Sequence, residues 1–126
     1  MGLRFLKIAV VYLFVGACLG LFMGITQQFT LAPVHAHLLL LGWASLALAG
    51  LIYHLYPDAG ATRLAQIHFW VHNLALPCFM VGLGYLLTGH EWAGPVVGIT
   101  ASAVLIGLAL FATNVLMNVG PAAQRA

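Results

Sequence analysis

Four long stretches of this chain carry almost no charged side chain, and short breaks rich in Gly, Pro and polar residues separate them. An α-helix rises about 1.5 Å per residue, so roughly 20 residues cross the ~30 Å hydrocarbon core of a bilayer. The stretches at about 4–27, 33–56, 64–88 and 95–119 meet that length. They predict an all-α membrane protein, a four-transmembrane-helix bundle forming a single domain over residues 1–126. Composition closes off the alternatives. Hydrophobic residues make up 63% of the chain and charged residues 5%, against about 45–50% and about 25% in an average soluble domain. Six ionic side chains, four basic and two acidic, cannot clothe a water-soluble globule, and a net charge of +2 is too small for a nucleic-acid binder.

The breaks are punctuated. Gln27-Gln28 closes the first span, and Thr30 followed by Pro33 reads as a capped start to the second. Pro57-Asp58-Ala59-Gly60 and Gly89-His90-Glu91 read as turns, Pro95 opens the last helix, and Gly120-Pro121 ends it. Pro77 inside the third span predicts a kink. The apolar run Ile8 to Ile25 exceeds the ~7–15 residues of a secretory signal core, which makes it a retained span. Cys18 and Cys78 both fall in apolar stretches and are expected as buried free thiols rather than a disulfide.

Arg4, Lys7, Arg63 and Arg125 all fall on one side of the predicted bundle. The positive-inside rule then places both termini in the cytoplasm, with a bacterial inner membrane as the expected location. Small residues recur every fourth position at Gly16, Gly20 and Gly24, and again at Gly94, Gly98 and Ser102. Such stripes let helix backbones approach closely, and packing within the bundle is their expected use, with contact between protomers as the rival.

Ionisable groups inside a membrane are costly and are functional candidates by default. Of six histidines, His90 lies in an outer turn and reads as solvated. His35 and His37 stand one turn into the second helix, near the non-cytoplasmic side. Two positions on a helix amount to roughly 200° of rotation, so their imidazoles leave on opposite flanks and cannot share one iron within a protomer. His68 and His72 should lie about 15–30 Å lower along the axis. If both His35 and His37 are ligands, each needs a partner outside its own chain, as a closed ring of identical subunits provides; the competing reading is that one or both simply hydrogen-bond a carbonyl or line a hydrated vestibule.

The segment Val34-His35-Ala36-His37-Leu38-Leu39-Leu40-Leu41-Gly42-Trp43, continuing through Gly50 to Tyr53 and Pro57, resembles the second transmembrane helix of subunit I in haem–copper oxidases and nitric oxide reductases. It also resembles that family's tenth helix with its His-x-His pair, and His68-Phe69-Trp70-Val71-His72-Asn73 is similar to a His-Phe-Trp stretch there. The likeness covers roughly residues 33–85. It implies one third of a twelve-helix core, trimerising to rebuild the ring. His35 and His37 of adjacent protomers would hold a haem b, as axial ligands of the iron. Propionates would then meet Gln27, Gln28, Thr30, His90 or Trp92. The family's copper-binding His-x-x-x-Tyr pattern and its outer arginine pair are absent, so copper and the reduction of oxygen or nitric oxide are not implied.

Haem held by two imidazoles keeps no open coordination position, which favours electron transfer or redox and gas sensing, with a separate donor or acceptor. A second candidate set is His68 and His72, spaced i, i+4 on one face, with His54 at similar depth. It could hold a metal, relay protons or, with Asn73 and Asn114, take a quinone headgroup. The competing functional class is a cofactor-free accessory subunit of a respiratory complex or a small transporter. The transporter version is weakened because the two acids, Asp58 and Glu91, both sit in loops.

Overall fold

The computed structural model describes residues 1–121, and every regular element among them is helical. Four long helices run as α1 (Gly2–Thr26), α2 (Ala32–Leu55), α3 (Arg63–Leu87) and α4 (Gly94–Asn118). Each is long and apolar enough to cross a membrane. The limits lie within two residues of the expected spans, because hydropathy changes sharply at each break. Arg4, Lys7 and Arg63 stand at the same end of the antiparallel bundle, hereafter the basic end. Arg125, the fourth residue behind the orientation argument, lies outside the described residues.

The punctuation differs in detail. Gln27 closes α1 in the left-handed region at φ 55°, and Gly89 at φ 96° turns the chain between α3 and α4. Leu31 rather than Thr30 occupies the cap of α2, no side chain caps it, and Pro33 sets its first turn. Residues Pro57–Gly60 form a single helical turn. Thr62 caps α3 by accepting from the Ala65 N–H at 3.1 Å. The helix then continues through Pro77 to Leu87, so the proline does not break it.

The middle of α2 departs from the expected α-helix. Residues Leu38–Ala44 in the middle of α2 are wound as a π-helix. There the backbone N–H of Ser45 and its hydroxyl both reach the Leu40 carbonyl, the hydroxyl at 2.8 Å. Nothing in an unbroken run of leucines signals that extra residue per turn.

α1 lies along α2 and α3 along α4, giving two antiparallel hairpins. Phe5 joins them at the basic end, packing edge-on against Phe69 at 5.2 Å and against the His68 ring at 4.9 Å. A second core cluster toward the opposite end gathers Val34, Leu38, Leu76, Phe79, Met80 and Val104. The exterior is apolar as well, with Phe14, Ile99 and Leu116 fully displayed, as a lipid-facing surface requires.

Between helices in lipid, close backbone approach replaces hydrophobic gain. The α1–α2 seam is built that way from both sides. A Cβ on Gly2 would sit 2.5 Å from the Gly50 carbonyl oxygen, one on Gly42 would sit 2.5 Å from the Tyr12 ring, and one on Gly16 would meet Leu39 at 2.8 Å. Packing within the bundle therefore explains Gly16 and Gly20. It does not explain Gly24, Gly94 or Gly98, which have nothing within 4 Å, nor Ser102, which is exposed with its hydroxyl donating to the Gly98 carbonyl at 2.7 Å. Cys18 and Cys78 are likewise exposed rather than buried. On uniformly apolar helices the sequence does not tell a lipid-facing flank from a bundle-facing one.

Replacing Gly42 by Leu should push Tyr12 out of the seam and cost about 1–3 kcal/mol of stability. Gly98→Ala should stay within about 0.5 kcal/mol. Reversible unfolding of both variants in mixed micelles of rising denaturing-detergent fraction checks the contrast.

Candidate functional site

His35 and His37 stand in the first turns of α2, above the π-helical stretch. They leave on opposite flanks as their spacing requires. His35 turns toward α1, where its ring lies over Gly20. A Cβ there would come within 2.7 Å of the imidazole carbon, so only glycine admits the ring in this position. Its Nδ1–H donates to the Gly16 carbonyl at 2.8 Å. His37 turns toward α3, meets the Phe79 ring edge-on at 5.3 Å, and gives its Nδ1–H to the Pro33 carbonyl at 2.6 Å.

These bonds settle the tautomers. A carbonyl oxygen only accepts, so Nδ1 carries a proton in both rings, and the neutral form of each keeps its lone pair on Nε2. That is the state in which an imidazole ligates a metal, with ring orientation fixed by the bond on its far nitrogen. Both side chains are half-buried, at the rim of the helix pairs rather than in the core. Among the described residues no three His, Cys, Asp or Glu side chains gather where they could hold a metal ion. The two histidines are not brought together within one chain.

The other histidines divide sharply. His54 is exposed at the basic end, beside a cavity of about 520 Å³ lined by Arg4, Tyr53, Pro57 and Ala61 among others. His68 and His72 are buried, with 1% and 0% of their surface exposed, and their rings meet edge-on at 5.5 Å. The set His54, His68 and His72 is therefore not assembled, because His54 points outward while the other two face the core. His90 is exposed in its turn, against Tyr85 and Trp92.

His72 also corrects the expected depth. It donates from Nε2 to the Leu41 carbonyl at 3.0 Å, which lies only about 6 Å below His37 at 1.5 Å per residue. The 15–30 Å separation overstates the gap for this residue. His68 lies deeper, with its Nδ1 3.2 Å from the Tyr53 hydroxyl. Beside it, Asn114 is wholly buried. Its Nδ2 donates to the Ala59 carbonyl at 2.9 Å, and its Oδ1 accepts from Thr62 at 3.1 Å and Asn118 at 2.8 Å. Asn114 thus ties α4 to the turn before α3. Asn73 bonds back to the Phe69 carbonyl at 2.7 Å. Among the described residues two buried side-chain atoms, His72 Nδ1 and Asn73 Oδ1, have no partner.

Tyr53 and Asn114 are the polar residues of this interior group that their types alone did not single out as a connected pair. Their shared placement at the basic end of antiparallel helices was the available signal. No protein-family profile, curated protein or solved structure matches the chain.

Removing the Asn114 amide (Asn114→Leu) should cost about 0.6–1.7 kcal/mol, the range for interhelical hydrogen bonds in membranes. Thr62→Val also removes the cap of α3, about 0.5–2 kcal/mol, and most of that cost should persist beside Asn114→Leu, leaving only a small coupling from the one bond the two share. A double-mutant cycle of unfolding free energies measures that coupling.

Proposed function

We propose that the protein is a membrane-embedded b-type cytochrome of the haem–copper oxidase kind, reduced to a single four-helix unit. In this reading it assembles as a trimeric ring with both termini in the cytoplasm of a bacterial inner membrane. His35 of one protomer and His37 of the next hold the haem iron across each seam. The observation that carries the reading is the matched pair of Nδ1–H bonds to the Gly16 and Pro33 carbonyls. They leave two Nε2 lone pairs on opposite flanks of one helix, two residues apart in depth. A subunit that repeats around an axis turns opposite flanks into facing ones.

The residues present fit such a group. Both are imidazoles with the far nitrogen anchored to a carbonyl, the arrangement that holds a ligating ring in place. Gly20 gives His35 its seat and Phe79 supports His37. Gly94 and Gly98 leave an open small-residue face on α4 that a neighbouring protomer could cover. A haem bound by two imidazoles supplies one-electron transfer without an open position for substrate. The chain's own part is to fix the two rings and to exclude water from the seam. Electrons would pass to and from a separate donor or acceptor, with a quinone as one candidate class.

The expected result is a purified complex with reduced-minus-oxidised absorption bands of low-spin haem b and one haem per chain. His35→Ala and His37→Ala should each be colourless. Co-expressing the two variants is the sharper measurement. Three-quarters of randomly mixed trimers contain both chains, and each restores one seam of three, so roughly a quarter of the wild-type haem should return. Haem retained in either single variant, or none recovered on mixing, defeats the shared site. A colourless wild-type protein after expression with ample haem favours an accessory subunit without cofactor.

A further inference from the structure

The buried polar groups below the His35–His37 level form a sequence of hydrogen bonds. Asn114 Oδ1 accepts from Asn118 at 2.8 Å, while the one Thr62 hydroxyl proton lies between the Ala59 carbonyl at 2.9 Å and Asn114 Oδ1 at 3.1 Å. The Tyr53 hydroxyl, against which Asn114 also lies, is 3.2 Å from His68 Nδ1, and in the Nε2–H tautomer of His68 it gives its proton to that nitrogen. With Nδ1 accepting, His68 carries its own proton on Nε2. His72 is the reverse of an ordinary buried donor pair. Its Nε2–H is committed to the Leu41 carbonyl at 3.0 Å, so its Nδ1 is a bare acceptor, fully buried and without a partner. A donor on one ring and an orphaned acceptor on the next stand on rings 5.5 Å apart.

We propose that Tyr53, His68 and His72 form a proton path that opens at the basic end and ends blind at His72 Nδ1, with one internal water closing the gap between the imidazoles. A buried polar atom without a partner is the usual seat of such a water. The path begins at the cavity of about 520 Å³, which Tyr53 helps to line. An excess proton enters from water there and reaches the Tyr53 hydroxyl oxygen as that group passes its proton to His68 Nδ1. His68 releases its Nε2 proton to the bridging water, and that water protonates His72 Nδ1. Each group ends with the protons it began with, except His72, which becomes the imidazolium.

The surroundings suit a site that holds one proton reversibly. The rings are enclosed by Phe5 from α1, Leu41 and Tyr53 from α2, and Gly107 and Phe111 from α4. Tyr53 is the titratable group that α2 brings to them, and no fixed charge joins it. The chain's two acids, Asp58 and Glu91, sit in turns, and its described basic residues stand at the helix starts. Above His72 the π-helical carbonyl of Leu41 accepts but has no proton to pass on, which is why the path stops there.

The test uses the full-length protein in lipid bilayers with ¹⁵N-labelled histidine and needs no haem. After transfer to deuterated buffer, the imidazole N–H signal of His68 should exchange at least tenfold faster in the wild type than in Tyr53→Phe, whereas His72 Nε2–H, tied to Leu41 beyond the end of the path, should exchange equally slowly in both. The exposed His54 should exchange at once in both. Equal rates for His68 in the two proteins, fast or slow, overturn the path. A second arm rests on the cytochrome reading. There the haem midpoint potential should vary with pH in the wild type and lose that variation in His72→Gln, whose amide can still donate to Leu41. A pH-independent potential together with Tyr53-sensitive exchange shows that the path exists but is not coupled to the haem. Failure to bind haem sinks the cytochrome reading and leaves the exchange result standing.

Discussion

When the exterior of a helix is as apolar as its interior, hydrophobic burial cannot choose which face turns inward. Backbone proximity makes that choice here. Gly2, Gly16 and Gly20 on α1, and Gly42 and Gly50 on α2, interlock so tightly that a methyl group at most of them would strike a neighbour. That seam sets the rotation of α2. It thereby sets where the His35 ring goes, since Gly20 leaves the space into which the imidazole falls and Gly16 presents the carbonyl that fixes its tautomer.

Four imidazoles inside the bundle are sorted into two chemistries by which nitrogen is tied down. His35 and His37 are anchored through Nδ1 and keep Nε2 as a lone pair at a half-buried rim. His72 is anchored through Nε2 and keeps Nδ1 as a lone pair in the core, while His68 faces a tyrosine hydroxyl. The first arrangement suits a ligand reached from outside the protomer. The second suits exchange with another buried group. Composition treats all four alike, and the separation arises from the carbonyls that the neighbouring helices happen to present.

What could be read in advance was what depends on counting along the chain. The four spans, the turns near Gly60 and Gly89, and the opposed flanks of His35 and His37 follow from length, punctuation and helical repeat. What could not be read was rotation and depth between helices. Cys18, Cys78 and the Gly94–Gly98 face looked like packing positions and lie outside. His72 sits nearer the His35–His37 level than the expected span offsets allowed, because its side chain reaches to Leu41. Trp70 and His72, two residues apart, lie at opposite extremes of exposure, a difference that an evenly apolar stretch does not announce.

The widened turn at Leu38–Ala44 has a geometric result for everything above it. An additional residue accommodated in a helix without lengthening its hydrogen-bonded frame carries an angular offset of about 100°. The histidine pair thus stands at a different angle from the one an unbroken α-helix running up from Gly50 would give it, and it is at this angle that His35 meets Gly20 and Gly16 in the seam with α1. Shortening the leucine run by one would leave the lower contacts in place and swing both imidazoles round to new compass points, so the loop-free midsection of a single helix works as a rotary spacer between two functional storeys.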